Sequence, residues 1–184
     1  MKRIGFAACL LLVSAPGVAR AGLIDQLDFL QVTPFVGGQV VRPLGPMPAS
    51  MGAAVFASGL TVGGTAGMRL GPVSLGVLVQ RTAPSGIATR ELGVDRVYGQ
   101  LGFCTQLEHS VFGAHFDAGP AWLDDGGAVV TGFGGKMGFL FDWYPARVLS
   151  VGGGADFDVQ AFPIGVRPLV AIGGTFVARL GLHL

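Results

Sequence analysis

Apolar and polar side chains alternate with a period of two along much of this chain. Between residues 136 and 143, bulky apolar residues stand at Met137, Phe139, Phe141 and Trp143, with charged residues or glycine at most positions between them. Because successive residues of a strand point to opposite faces, this spacing predicts a strand with one apolar and one polar face. Such a strand belongs either to a half-buried soluble sheet or to a barrel with lipid outside.

Eight segments show this alternation, each about as long as a tilted strand that crosses a bilayer. They are residues 31–41, 60–70, 73–82, 96–107, 111–122, two strands within 130–160, and 166–184. The pattern predicts an all-β fold, a transmembrane antiparallel up-and-down β-barrel of eight strands. An uncharged run from Leu44 to Met68 also allows a helical span, but Pro46, Pro48 and six glycines oppose a helix there.

The connections between these segments alternate between short and long. The short ones are Gly71-Pro72, Glu108–Ser110 and Pro145–Arg147, and the longer ones are Arg42–Gly59, Ala83–Asp95, Leu123–Val129 and Ala161–Gly165. Outer-membrane barrels have short periplasmic turns and longer extracellular loops, so the alternation favours a barrel of that kind. It also predicts that both chain ends lie on the side of the short turns.

The N-terminal segment is typical of a secretory signal. Lys2-Arg3 precedes an apolar run from Ile4 to Val13, and Ala19-Arg20-Ala21 supplies small residues before a cleavage point. We expect residues 1–21 to be removed, which leaves residues 22–184 as a single outer-membrane β-barrel domain.

The composition is unusual for a soluble secreted domain. Hydrophobic residues make up 51% of the chain and charged residues only 12%, against about 25% charged in ordinary globular proteins. Glycine is also abundant, with 32 residues. The absence of a basic tract argues against nucleic-acid binding. After cleavage one cysteine remains, Cys104, so no internal disulfide is expected.

Aromatic residues fall where the strands are expected to meet the membrane surfaces. Trp122 lies at the long-loop end of its strand, and Trp143 and Tyr144 lie at the short-turn end of theirs. We expect these three residues to be interfacial aromatics.

Signal segment, eight alternating strands, alternating loop lengths and terminal aromatics together resemble the small eight-stranded outer-membrane barrels of the OmpA/OmpX type. The resemblance covers nearly all of residues 22–184, as a pattern rather than a fingerprint. One departure is Leu184, where such proteins usually carry an aromatic residue. The resemblance implies a monomer in the outer membrane of a Gram-negative envelope, in contact with outer-membrane lipid.

The polar faces of the predicted strands carry charged residues that would point into a narrow lumen. Isolated charges there would be costly, so we expect an interior network of ion pairs, with a proton or ion path as the alternative. The expected members are Arg69, Arg96, His115, Asp117, Lys136, Asp142, Asp156, Asp158 and Arg179.

The strand pairing on either side of Lys136 follows from the expected turn. A turn at Tyr144–Arg147 places Lys136 directly opposite Asp156, and Asp117 approaches from the preceding strand. Lys136 is the only lysine in residues 22–184, and it should lie between two carboxylates.

Other candidate chemistry is sparse. None of His109, His115 and His183 falls in a predicted outer loop, which argues against catalysis on lipid; we expect no enzyme activity and no cofactor or metal. Two carboxylates in Asp124–Gly127 are a weak divalent-cation site, and Asp-Gly is a common hairpin turn. The segment 23–30 has its leucines at helical spacing, but a flexible lead into the first strand is the favoured interpretation.

The first long loop, Arg42–Gly59, is apolar where loops are usually polar. It is a candidate contact for an extracellular partner, although part of it also fits an extension of the second strand. The sequence therefore predicts a porin-like outer-membrane barrel without an open pore, with a structural role or an interaction or adhesion role carried by its loops. The alternatives are a lipid-modifying outer-membrane enzyme and a secreted lipocalin-like barrel that binds an apolar ligand.

Overall fold

The computed structural model describes residues 27–44, 58–84, 92–107, 109–125, 128–164 and 168–184. The predicted signal peptide, residues 45–57 of the first long loop and Gly126-Gly127 lie outside these ranges. The strands are β1 Leu27–Leu44, β2 Gly59–Leu70, β3 Val73–Pro84, β4 Leu92–Leu107, β5 Ser110–Asp125, β6 Val129–Ala146, β7 Leu149–Phe162 and β8 Leu169–His183. No helix among the described residues is long and apolar enough to cross a bilayer.

The eight strands form one closed antiparallel barrel. Each strand pairs with its neighbour in sequence, and β1 pairs with β8 to complete the circle. Leu30 and Leu184 exchange two backbone hydrogen bonds of 3.2 and 2.9 Å at the end of this seam. The predicted fold class is therefore confirmed, including its up-and-down order.

The register fixes the shape of the barrel. Successive hydrogen-bonded partners, traced once around the barrel from Val73 on β3, lead back to β3 at Ala83, ten residues further along. The intermediate partners are Phe103, Ala114, Phe139, Ala155, Phe176, Gly38 and Leu60. A stagger of ten residues over eight strands gives a tilt of about 40° and a backbone diameter of about 16 Å, at a rise of about 3.4 Å per residue and a strand spacing of about 4.8 Å. Inward side chains alone suffice to fill a cylinder of this width.

The two faces of the strands differ completely in chemistry. Outward-facing residues are almost all apolar, and Phe103, Phe139 and Phe176 are each more than half exposed. The charged residues of the predicted network point inward. In water such an exterior would be unstable, so its apolar band is the lipid-facing surface of a transmembrane barrel.

The structure departs from the sequence-based boundaries mainly at the loop ends. β3 continues to Pro84 and β4 begins at Leu92, so Asp95 belongs to a strand rather than to a loop. Residues 27–30, expected to be a flexible lead or a helical piece, begin β1, and Gly59–Leu70 is a strand, which contradicts the helical interpretation of the run to Met68. At the turn end, Gly71 adopts a φ of 61°, a conformation that glycine allows without strain.

The lipid-facing assignment predicts a depth-dependent cost of charge. Phe139 lies near the middle of β6 and stacks on Phe112, with ring centroids 6.1 Å apart. Phe139→Arg should cost about 2–4 kcal/mol, whereas Phe133→Arg, near the loop end of the same strand, should cost about 0–1 kcal/mol. Urea titration of both variants in lipid vesicles measures the difference. Equal costs would contradict the assigned depth.

Candidate functional site in the barrel lumen

All nine charged residues expected in the lumen point into it. Eight of them are buried, and the ninth, Arg179, is nearly so, with its side chain 11% exposed. The structure distributes them along the barrel axis in three groups rather than one.

The central group joins two cations to two carboxylates. Lys136 Nζ lies 2.7 Å from Asp156 Oδ2 and 3.7 Å from Asp117 Oδ2. His115 contacts the same two acids, with Nδ1 3.1 Å from Asp117 Oδ2 and Nε2 3.0 Å from Asp156 Oδ1. These four residues, the central ion cluster, form a ring of alternating charge.

The geometry around His115 defines its charge. Each ring nitrogen faces a carboxylate, and an ionised carboxylate only accepts hydrogen bonds. Both nitrogens therefore act as donors, and the imidazole is positively charged. The central ion cluster then holds two positive and two negative charges, so it is neutral as a unit, which is the condition for burying charge at low cost.

The second group lies on the loop side of the centre and is linked through an amide. The guanidinium of Arg96 donates to Gln39 Oε1 at 3.0 Å, and Gln39 Nε2 donates to Asp158 Oδ2 at 3.1 Å. Arg96 also donates to Thr82 at 2.7 Å, and Thr175 donates to Asp158 at 2.6 Å. Gln39 thus connects a buried cation to a buried anion that does not touch it directly.

The third group lies at the turn end. Arg179 Nε is 3.1 Å from Asp142 Oδ1, and the side chain of Arg69 is buried nearby. Ser150 and the ring of His183 lie 2.8 Å apart, also inside the barrel. Polar side chains therefore occupy the lumen down to its turn end.

Tyr144 departs from its predicted role. Trp143 points outward and is half exposed, and Trp122 lies on the outer surface at the loop end, but Tyr144 points inward. Its ring lies over His183, with centroids 4.7 Å apart. Residues of one strand alternate in direction, so Trp143 and Tyr144 cannot both face the interface.

An apolar layer, the outer plug, closes the lumen at the loop end. Its ring and aliphatic groups pack together around Arg96, from the partners Leu78 and Tyr98 on its turn side to the residues nearest the loops. The buried members are Leu78, Val94, Tyr98, Ala121, Leu123, Phe162, Leu169 and Ala171. The alternation of the sequence indicates that these residues face inward in the strands that it predicts. A period of two does not indicate which inward residues lie at the same level along the barrel axis. The outer plug was therefore not predicted.

Two glycines make room for Tyr98 in this layer. Gly119 and Gly134 are partners on β5 and β6, and the Tyr98 side chain extends from β4 across both of them. A β-carbon on Gly134 would collide with the Tyr98 hydroxyl. Phe162 likewise lies against Gly132. The high glycine content of the chain therefore includes sites at which an inward aromatic ring lies flat on a neighbouring strand.

Small spaces lie between these layers in the described part of the lumen. One cavity of about 40 Å³, lined by Gln31, Arg69, Gln100 and Asp142 among others, lies toward the turn end. Another of about 20 Å³ adjoins His115 and Lys136. At about 10–15 Å³ for one water, these two cavities hold a few water molecules and no larger solute. A wider space of about 260 Å³ lies at the turn-end rim, beside Gly71 and Gln106.

The expected register across β6 and β7 was wrong by two residues. Lys136 lies opposite Asp158, and Gly138 lies opposite Asp156. The turn is at Arg147-Val148 rather than Tyr144–Arg147, and an irregularity between Trp143 and Ala146 precedes it. A shift of two keeps every residue on its face, so Lys136 still reaches Asp156 diagonally.

Comparison with solved structures identifies barrels of the same type. Neisserial surface protein A superposes with a TM-score of 0.62 at 12% identity, over 86% of this chain and 99% of that protein. The outer membrane protein OprG from Pseudomonas aeruginosa gives a TM-score of 0.43 at 10% identity, over 84% and 95%. No family model and no curated protein matches the sequence. The chain therefore has the fold of the small eight-stranded outer-membrane barrels.

The central ion cluster predicts a non-additive pair of substitutions. Lys136→Met should destabilise the barrel by about 3–5 kcal/mol, because it leaves two carboxylates with one cation. Adding Asp156→Leu should recover part of this loss, since His115 and Asp117 then remain as a neutral pair. A double-mutant cycle in lipid vesicles measures the coupling.

The exposed ion pair of Arg81 and Asp95, 3.1 Å apart on the outer wall, is the matched control. Arg81→Met should cost less than about 1 kcal/mol, because the pair lies at the membrane surface, where water and headgroups solvate the remaining carboxylate. Additive losses for Lys136→Met and Asp156→Leu would show that the two side chains do not interact in the folded barrel.

The slot for Tyr98 gives a second stability prediction. Gly134→Ala should cost about 1–3 kcal/mol, because the new methyl group displaces the Tyr98 ring from a filled layer. Gly38→Ala is the control, since a β-carbon on Gly38 meets nothing within 4 Å on the outer wall. If urea titration gave both variants the same stability, Tyr98 would not occupy the slot.

Proposed function

We propose that this chain is a monomeric outer-membrane barrel with a closed lumen, whose role is structural or is carried by its extracellular loops. The observation that carries the proposal is the combination of an apolar outer wall with a lumen filled by paired charges and the outer plug. Such a molecule anchors itself in lipid and presents loops outside. It contacts outer-membrane lipid over the full height of its apolar band.

The filled lumen supports a role other than diffusion. A backbone cylinder about 16 Å wide holds little more than its own inward side chains. In this barrel those side chains are hydrogen-bonded to one another across the lumen, as Arg96, Gln39 and Asp158 are. An ion path would require the outer plug and these bonds to open together.

The placement of the histidines supports a role without catalysis. His115 is held between two carboxylates in the central ion cluster, where its ring nitrogens are already used. His183 has a serine partner, but Ser150 is fully buried and His183 is 3% exposed, so a lipid or peptide has no route to the pair. His109 is exposed at the turn end, away from the loops.

The orientation of the faces disfavours a lipocalin-like carrier. A barrel that binds an apolar ligand inside needs an apolar interior and a polar wall. Here the arrangement is reversed, since Lys136, Asp117 and Asp156 point inward and the phenylalanines of β6 point outward.

The loop Arg42–Gly59 is the proposed contact for an extracellular partner. Its two ends, Arg42–Leu44 and Gly59, belong to β1 and β2 at the loop end of the barrel. Its sequence between these ends is uncharged and apolar, so a partner would meet it through apolar contacts.

Planar bilayer recordings test the closed lumen. We expect no steady conductance from the folded protein, because the spaces of about 40 and 20 Å³ inside the lumen hold only a few waters, and the wider space of about 260 Å³ lies at the turn-end rim beside Arg69 and Gln106. A porin of known conductance, inserted under the same conditions, controls for insertion. Long-lived openings of the wild-type protein would contradict the closed lumen without affecting the fold.

Replacement of residues 45–57 by a glycine-serine linker of equal length separates the two proposed roles. If the role is structural, the replaced variant should restore outer-membrane integrity to a deletion strain, measured as detergent resistance, as well as wild type does. If the role is interactive, the variant should fold and reach the surface but lose adhesion. Replacement of residues 85–91 in the same way is the control loop.

A further inference from the structure

Where the structure describes the side chains of the strands, the outer wall carries its charged residues at the loop end. Among strand residues whose side chains the structure describes, four charged residues face outward, namely Arg42, Arg81, Asp95 and Asp124. All of them lie in the parts of the strands that adjoin the long loops. The wall at the turn end is apolar down to Leu182 and Trp143. The two membrane surfaces are therefore met by different chemistry.

Arg81 and Asp95 form the densest part of this charged rim. They are direct partners on β3 and β4, and Arg81 Nη1 lies 3.4 and 3.1 Å from the two oxygens of Asp95. Both side chains remain about half exposed, at 44% and 47%. Trp122 is the partner of Asp95 on β5, so an aromatic ring borders the pair.

The Arg81 side chain extends toward the loops. Its Nη2 and Nε lie 3.6 and 3.8 Å from the position that a β-carbon on Gly93 would take, and Gly93 is two residues nearer the loops than Asp95. Gly93 has no side chain, so the guanidinium lies against the strand with one edge on Asp95. Long basic side chains bend in this way to reach the headgroup region from a buried stem.

The height of Arg81 agrees with that direction. It is eight residues above Val73 on β3, which at the tilt of the barrel is about 21 Å along the axis. The apolar band of such barrels is about 25 Å tall. The Cα of Arg81 is thus just inside the hydrocarbon, and its guanidinium is at the level of lipid phosphates.

We propose that Arg81, held in place by Asp95 and Gly93, binds the phosphate of an anionic lipid in the leaflet at the loop end. A guanidinium forms paired hydrogen bonds with phosphate oxygens, and Nη2 and Nε present the required fork while Nη1 is engaged by Asp95. The acyl chains of the same lipid then lie against the apolar wall below. The inference rests on the membrane location proposed above, but not on the role of the loops.

Trp122 provides a direct reporter of lipid at this site. The chain has two tryptophans, so Trp143→Phe leaves Trp122 as the sole indole fluorophore. This variant is folded into phosphatidylcholine vesicles that contain a minor fraction of brominated lipid. Bromine on phosphatidylglycerol is compared with bromine on phosphatidylcholine, and the ratio of quenching measures the preference for anionic lipid beside Trp122.

We expect Trp122 to be quenched at least twofold more efficiently by the anionic lipid. Arg81→Gln should bring the ratio to about one, Arg81→Lys should retain part of the preference, and Asp95→Asn should increase it, because it removes the anion that competes for the guanidinium. Arg147→Gln, at the opposite end, should change nothing. An unchanged ratio in Arg81→Gln, or a reduced one in Asp95→Asn, would overturn the proposal.

Two further measurements distinguish the possible reasons why a variant loses the preference for anionic lipid. The heat-dependent gel shift of each variant reports the folded barrel, so failure to insert is distinguished from loss of the lipid site. Inorganic phosphate at matched ionic strength tests the source of the phosphate group. If it lowers the preference, free phosphate competes for the same guanidinium, which supports recognition of the phosphate group; persistence of the preference shows that the lipid is the favoured source of that group.

Discussion

The closure of eight strands with a stagger of ten residues is the constraint on which the rest of the structure depends. It fixes a cylinder about 16 Å wide, in which every second residue of every strand must fit. Charged residues placed there cannot reach bulk water, so each needs a partner within the same cross-section. The central ion cluster meets this requirement with four charges that sum to zero, and Gln39 meets it by linking Arg96 to Asp158 through one amide.

The same narrowness explains why glycine and aromatic residues occur together inside the barrel. A ring the size of Tyr98 fits across the lumen only if the strands beneath it carry no side chain, which Gly119 and Gly134 ensure. Polar layers toward the turn end leave small cavities, whereas the layer at the loop end is built mainly of apolar side chains. The lumen is therefore asymmetric, with its cavities and charges toward the turn end and its apolar seal toward the loops.

Alternation alone predicted which side of each strand faces the lumen. This is because the period of two comes from the extended backbone of the strand itself and does not depend on which strand lies beside it. It did not predict the register across β6 and β7, since the irregularity after Trp143 depends on how the chain turns. Tyr144 was misplaced because it follows Trp143 directly in one strand, and adjacent residues of a strand point to opposite faces. Uncharged members of the polar groups, Gln39 above all, carry no sequence signal of their importance. Arg81 and Asp95 occupy outward-facing positions of β3 and β4. Asp95 lies in the part of β4 that the sequence assigned to a loop, so the exterior pair could be predicted only with the correct strand ends.

The seam between β1 and β8 has a consequence for how the protein is made. The ladder that closes the barrel joins Leu30 to Leu184, and without it β1 and β8 each present a row of unpaired backbone groups. A shorter N-terminal portion can pair β1 with β2, but it leaves the other edge of β1 without a partner. Folding must therefore wait until β8 has been synthesised and delivered, and a chaperone that shields the exposed strands during transit suits this chain better than folding during translation.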